Sequence, residues 1–214
     1  MKIKEPVLSL LIVAVNLMAA ASLTAQERPG LFFREDWKET PPVTGITQDH
    51  VANPKLLLGI YGPGKDEIRK SHHDHPADDP YYVWSGMCKG NWAVTLRDKT
   101  ALVDLTGLAK IRWRSHQSGF RELRIILKLA DGTWLVSDAS DGPSEDWREV
   151  EFNIKDIRWR KLAINTVIEG DWVDHPDLSR VDEVGFTDLM TGGSSAASSR
   201  LDWIEVYGKE VKRP

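Results

Sequence analysis

The sequence predicts an all-β protein, an antiparallel two-sheet sandwich of about ten strands, and three observations carry that expectation. First, apolar and polar residues alternate with a period of two between positions 101 and 162. Ile111-Arg112-Trp113-Arg114 and Ile157-Arg158-Trp159-Arg160 are nearly the same phrase, and Leu123-Arg124-Ile125-Ile126-Leu127-Lys128-Leu129 lies between them. Period two gives a strand one buried face and one hydrated face, as antiparallel sheets require. Second, turn residues punctuate the chain: Gly62-Pro63-Gly64, Asp131-Gly132, Asp141-Gly142-Pro143 and Gly192-Gly193-Ser194-Ser195. Asp-Gly between alternating runs marks a tight hairpin. Third, no long stretch after the N-terminus holds a 3.6-residue period, and Asp66–Ser71 is expected to form at most one helical turn.

In chain order, residues 1–25 read as a signal peptide. Lys2 and Lys4 form a basic start, Val7–Val15 an apolar centre, and Leu23-Thr24-Ala25 a small-residue cleavage site before Gln26, with Ala21 an alternative. The apolar run is too short for a membrane-spanning helix. A bacterial secreted or periplasmic protein is expected, not an integral membrane protein once processed.

Residues 26–214 then form one β-sandwich domain, long enough for a substantial core. The whole chain carries −4; the leader's Lys2, Lys4 and Glu5 contribute +1, so the remainder stands at −5. That balance argues against nucleic-acid binding, which needs a net basic face. The single cysteine, Cys88, has no partner for an internal disulfide and is expected to be buried. The predicted strands are Leu31–Trp37, Leu56–Tyr61, Tyr81–Ser85, Trp92–Arg97, Ala109–Ser115, Glu122–Leu129, Thr133–Ser137, Arg148–Asn153, Val184–Thr187 and Leu201–Tyr207, each bounded by turn residues. The core is assigned to Trp113, Ile125, Leu127, Phe152, Trp159, Phe186 and Ile204.

Val103-Asp104-Leu105-Thr106-Gly107 precedes Ile111-Arg112-Trp113-Arg114, then come a hairpin and Trp147-Arg148-Glu149-Val150-Glu151-Phe152. Val184-Gly185-Phe186 and the closing Leu201-Asp202-Trp203-Ile204-Glu205-Val206-Tyr207 follow. This order, over about 100 residues of the second half, resembles the galactose-binding-like jelly rolls of carbohydrate-binding modules and of the complex I intermediate-associated family. The resemblance implies a jelly-roll sandwich and glycan binding. In many such modules a structural calcium ties an acidic pair near the first strand to an aspartate on the last, which would map onto Glu35, Asp36 and Asp202.

The most unusual stretch, Lys70-Ser71-His72-His73-Asp74-His75-Pro76-Ala77-Asp78-Asp79-Pro80, holds three of the six histidines and three aspartates within eight positions. Imidazole and carboxylate suit divalent transition metals, yet the spacing matches no zinc signature. Aspartates in such a loop also cap turns. The expectation is a ligand-binding loop, with His72, His73, His75, Asp78 and Asp79 followed at once by Tyr81, Tyr82 and Trp84.

Nine tryptophans allow some to serve as sugar-stacking platforms. Trp113, Trp159 and Trp203 fall within apolar alternation and read as core, whereas Trp84, Trp92 and Trp172 border polar loops and read as ligand candidates. Alternation also points Arg112, Arg114, Arg158, Arg160, Arg124 and Lys128 outward. If their strands were neighbours they would form a guanidinium face for an acidic glycan. The simpler account pairs these cations with Glu122, Glu149, Glu151 and Asp156 across strands.

No nucleophile elbow, zincin helix or P-loop is present. Adjacent acids such as Asp78 and Asp79, or Glu145 and Asp146, seldom flank a glycosidic bond at the roughly 5 to 9 Å required. His73 with Tyr82 could act as an acid–base pair in a polysaccharide lyase. The sequence therefore favours a carbohydrate-binding protein. A carbohydrate-active enzyme (polysaccharide lyase or glycoside hydrolase) using the loop is the alternative, and a structural or protein-interaction module of a cell-surface assembly the second.

Overall fold

A computed structural model describes residues 27–86, 88–190 and 197–213; the expected signal peptide lies outside them. The strands are β1 (Leu31–Glu35), β2 (Val43–Thr44), β3 (Leu56–Tyr61), β4 (Arg69–Ser71), β5 (Tyr82–Trp84), β6 (Ala93–Asp98), β7 (Ala101–Asp104) and β8 (Lys110–Gln117). They continue with β9 (Leu123–Leu129), β10 (Trp134–Asp141), β11 (Arg148–Asn153), β12 (Trp159–Ala163), β13 (Ile168–Val173), β14 (Val181–Thr187), β15 (Ser199–Tyr207) and β16 (Lys209–Lys212). They form an antiparallel two-sheet jelly-roll sandwich. The first sheet runs β11-β8-β15-β5-β4-β2, with β1 also on β15. The second runs β13-β12-β10-β9-β14-β6-β3, with β7 joining β14 to β16.

All ten expected strands are present, two of them, β3 and β11, with the expected bounds. Of the remaining strands, β2, β4, β7 and β16 are short and β13 lies at a sheet edge, where packing against a neighbour decides pairing; β12, which begins within the alternating Ile157–Arg160 phrase, is absent from the expected set. The single helical turn expected within Asp66–Ser71 is present, shifted to its start. Lys65–Glu67 makes one 3-10 turn and Arg69–Ser71 is strand, because β5 supplies its backbone partners. The Asp131-Gly132 turn joins β9 to β10 as expected: the Leu129 N–H donates to the Thr133 carbonyl at 2.8 Å, and Gly132 takes φ 90°, open to glycine without strain.

One apolar core fills the space between the sheets, and all seven residues assigned to it are buried there. Their alternation explains this: Ile111 and Trp113 face in while Arg112 and Arg114 face out. Burying each such side chain is worth about 1.5–3 kcal/mol. Cys88 is buried, and burial raises its thiol pKa to about 12. Trp92, expected near a ligand, is instead core, packed edge-on against Phe186 at 6.0 Å. Trp203 is buried as expected, at 7% exposure, but outside the inter-sheet cluster. A β-bulge interrupts the β15–β8 register between Leu201 and Trp203, so strict alternation breaks. Asp202 and Trp203 both turn to the outer face, where Asp202 meets Arg114 and Trp203 lies beneath Arg34 and Arg112.

The outward cations do not assemble into one basic face. Arg112 and Arg114 lie on β8 of the first sheet, whereas Arg124 and Lys128 on β9 and Arg160 on β12 belong to the second. Most are paired: Arg112 with Glu149 at 2.7 Å, Arg114 with Asp202 at 2.9 Å, Arg124 with Glu169 at 2.9 Å and Lys128 with Glu183 at 2.9 Å. Cross-strand pairing holds for Glu149 and Glu151, both with Arg112, at 2.7 and 3.6 Å; among the described residues Glu122 and Asp156 form no ion pair.

Candidate functional site

The His-rich loop leaves β4 and returns in β5 at the rim of the first sheet. Asp79 organises it: one carboxylate oxygen accepts the His73 backbone N–H at 2.8 Å and the His73 Nδ1 at 2.8 Å. The Tyr82 hydroxyl lies 3.3 Å from the same Nδ1. His72 stacks on Tyr81 at 4.0 Å with an interplanar angle of 11°.

A second loop, between β10 and β11, closes the opposite side. It is anchored by buried Asp141, which accepts the Trp113 indole N–H at 2.9 Å and bonds Ser115 and Arg148. The Ser144 N–H adds a bond to the Gln117 carbonyl at 3.2 Å. So held, the loop delivers Trp147 onto the outer face of β8. Its ring meets Tyr82 at 5.1 Å and His116 at 5.6 Å, with the Arg114 guanidinium 5.6 Å away.

Between the two loops lies a groove of about 360 Å³. Tyr82, Arg114, His116 and Arg200 come from three adjacent strands, β5, β8 and β15. His73, Asp78 and Asp79 come from one loop and Asp146 and Trp147 from the other. Arg200 is register partner of both Trp84 and His116, so Arg69, Trp84, Arg200 and His116 form one row across the outer face. The Arg200 Nη1 is buried and has no hydrogen-bond partner among the described residues. Burial, then the Arg200 charge, hold the His116 imidazole below its ordinary pKa. Burial raises the Tyr82 phenol, which therefore stays protonated at neutral pH. The groove thus sets one part-exposed indole, Trp147, backed by the buried Tyr82 ring, among donors and acceptors of both charges.

Of the expected ligand residues, His73, Asp78, Asp79 and Tyr82 line this groove. His72 and Tyr81 stack beside it, and His75 is exposed in the loop. Trp84 sits over a separate cavity of about 210 Å³ with Arg69 and Lys70. Trp172, on β13, is on the other sheet. Arg200, His116, Asp146 and Trp147 were not assigned to a site from sequence. Trp147 carried one usable signal: it follows a turn-forming acidic run, outside the alternation that marks core tryptophans.

Among the described residues no three His, Cys, Asp or Glu side chains are arranged to hold a metal ion. The carboxylates mapped to calcium have nitrogen donors instead. Glu35 accepts the backbone N–H groups of Trp37, Ala52 and Asn53 at 2.8, 2.7 and 2.9 Å, fastening the residue 51–53 segment to β1. Asp36 pairs with Arg34 at 2.6 Å and Asp202 with Arg114 at 2.9 Å.

The chain matches no protein-family profile and no curated protein sequence. Among solved structures it is similar to the family 11 carbohydrate-binding module from Clostridium thermocellum in complex with a β-1,3-1,4-mixed-linked tetrasaccharide. That likeness has 15% identity over 79% of this chain and 97% of the other, at a TM-score of 0.47. The family 11 module of a cellulosomal cellulase of Clostridium thermocellum is 13% identical over 86% and 97%, at 0.45. A family 29 carbohydrate-binding module variant complexed with cellulohexaose is 11% identical over 78% and 91%, at 0.46. These likenesses are distant, and what this groove binds depends on its own side chains.

Proposed function

We propose that the protein is an exported carbohydrate-binding protein and that the groove holds a hydroxyl-rich, uncharged stretch of glycan. The observation that supports this most is the part-exposed Trp147 indole, seated on the buried Tyr82 ring at 5.1 Å within a rim of hydrogen-bonding groups. Sugar rings present apolar C–H faces to indole and phenol rings, and their hydroxyls both donate and accept. Asp78 and Asp146 can accept from them, and Arg200 can donate. An acidic sugar suits this groove less well than the sequence suggested, since three aspartates line it beside two arginines, one already paired.

Titration calorimetry against a panel of neutral polysaccharides tests the proposal. Trp147→Ala should weaken binding by about 1–3 kcal/mol, as for a well-placed aromatic contact. Binding indifferent to Trp147→Ala, or no neutral glycan bound, would overturn it. Mass spectrometry of exported material should find an N-terminus near Gln26; an intact Met1 in a membrane fraction would contradict export.

The Asp79–His73 contact supports a second reading, a lyase. With Nδ1–H donated to Asp79, His73 would leave Nε2 free as a base, while the Tyr82 hydroxyl lies on the Nδ1 side of the ring at 3.3 Å. Unsaturated products from a uronate polymer, lost in His73→Ala, would favour it over binding alone.

A further inference from the structure

We propose that a cavity at the β12–β13 edge of the second sheet is a separate binding site for the anionic group, sulfate ester or carboxylate, of a polysaccharide. The cavity, about 370 Å³, is lined by Lys155, Arg158, Trp172, Asp174 and His175 among others. Trp172 is 41% exposed, high for an indole. The Arg158 and Arg160 guanidinium carbons lie 4.1 and 4.2 Å from its ring centroid. Stacking fixes a guanidinium by its face and leaves its in-plane N–H donors free, the arrangement that suits a two-pronged grip on an oxyanion.

Charge supports the same ligand. Neither Arg158 nor Lys155 has a carboxylate within ion-pair distance among the described residues, unlike Arg112 and Arg114. Arg160 is 3.9 Å from Glu169 and donates to the Gly170 carbonyl at 3.1 Å, so it is only partly committed. Asp174 is the one acidic residue in the lining. Asp138 accepts the Arg158 backbone N–H at 2.9 Å and is not part of the lining. His175 holds a left-handed φ of 48°, the kind of backbone strain that gathers at binding sites. The site does not depend on the groove reading, because it lies on the opposite sheet.

Affinity electrophoresis of the full chain tests it, in native gels containing dextran sulfate, polygalacturonate or neutral dextran, each compared with a polymer-free gel. At least one anionic polymer should retard the protein several-fold, neutral dextran should not, and added salt should reverse the effect. Which anionic gel retards names the group. Arg158→Gln/Arg160→Gln should abolish retardation, with a melting curve confirming its fold, and the exposed Lys155→Glu should weaken it. Trp147→Ala should retain it. No retardation by either anionic polymer, retardation unchanged in the double variant and Lys155→Glu, or its loss in Trp147→Ala would overturn the proposal.

Discussion

Ile111-Arg112-Trp113-Arg114 and Ile157-Arg158-Trp159-Arg160 are almost one sequence placed at two sites in the fold. In both, alternation buries the tryptophan, at 0% and 2% exposure, and turns the arginines out. There the likeness ends. Trp113 lies on β8 between the edge strand β11 and β15, and its indole N–H is spent on buried Asp141. Its arginines meet Glu149, Glu205 and Asp202. Trp159 opens β12, likewise one strand from its sheet edge, between β13 and β10, but its arginines lie against the Trp172 ring rather than on close carboxylates. Identical local patterns set which way a side chain points, while the neighbouring strands set what it meets.

The largest test of that contrast is truncation of the two tryptophans. Each should cost about 3–5 kcal/mol in denaturant unfolding, Trp113→Ala at the upper end because it also strips a donor from buried Asp141. A larger loss for Trp159→Ala would break the comparison. The arginines should differ next. Arg114→Met leaves the Asp202 carboxylate without its cation, costing about 1–3 kcal/mol at pH 7, whereas Arg158→Met should stay within about 0.5 kcal/mol.

The first loss should depend on pH. Burial, opposed by Arg114, raises the Asp202 pKa to about 6, above its unfolded value, so below about pH 6 its folded carboxyl is protonated. The Arg114→Met penalty should therefore shrink as pH falls through 6, and an equal penalty at pH 5 and 7.5 would contradict the pairing.

Trp84→Ala should fall between core and surface, at about 1–2 kcal/mol. The ring is half-buried between Arg69 and Arg200, outside the core. A loss of core size would place it with Trp113. The smallest effect concerns His116. The unfolded imidazole protonates at its ordinary value and the folded one only at lower pH, so stability should fall as pH drops through the histidine range. His116→Gln should flatten that slope in a series of melting curves.

The strands that were legible in sequence are those with a strong two-residue period, such as β8, β9 and β11, or a short apolar run bounded by clear turns, such as β3. β2, β4 and β16 carry too few residues to show a period, and their pairing is decided by neighbours. Half of the groove was visible because His73, Asp78, Asp79 and Tyr82 are crowded in one polar loop. Arg200, His116 and Trp147 are remote from it in sequence, and nothing local links them. Trp203 shows the limit most plainly: it is buried as alternation suggests, but the bulge before it places it under Arg34 and Arg112 rather than between the sheets.

By itself, then, the sequence determined the class of fold, the inward set of core side chains and the outward direction of the arginines, because a strand's two-sided geometry is local. The tertiary structure decided which strands became neighbours, where the bulge at Asp202 fell, which cations found carboxylates and which stacked on Trp172. Those outcomes depend on register and sheet order, which are set by contacts between residues far apart in the chain.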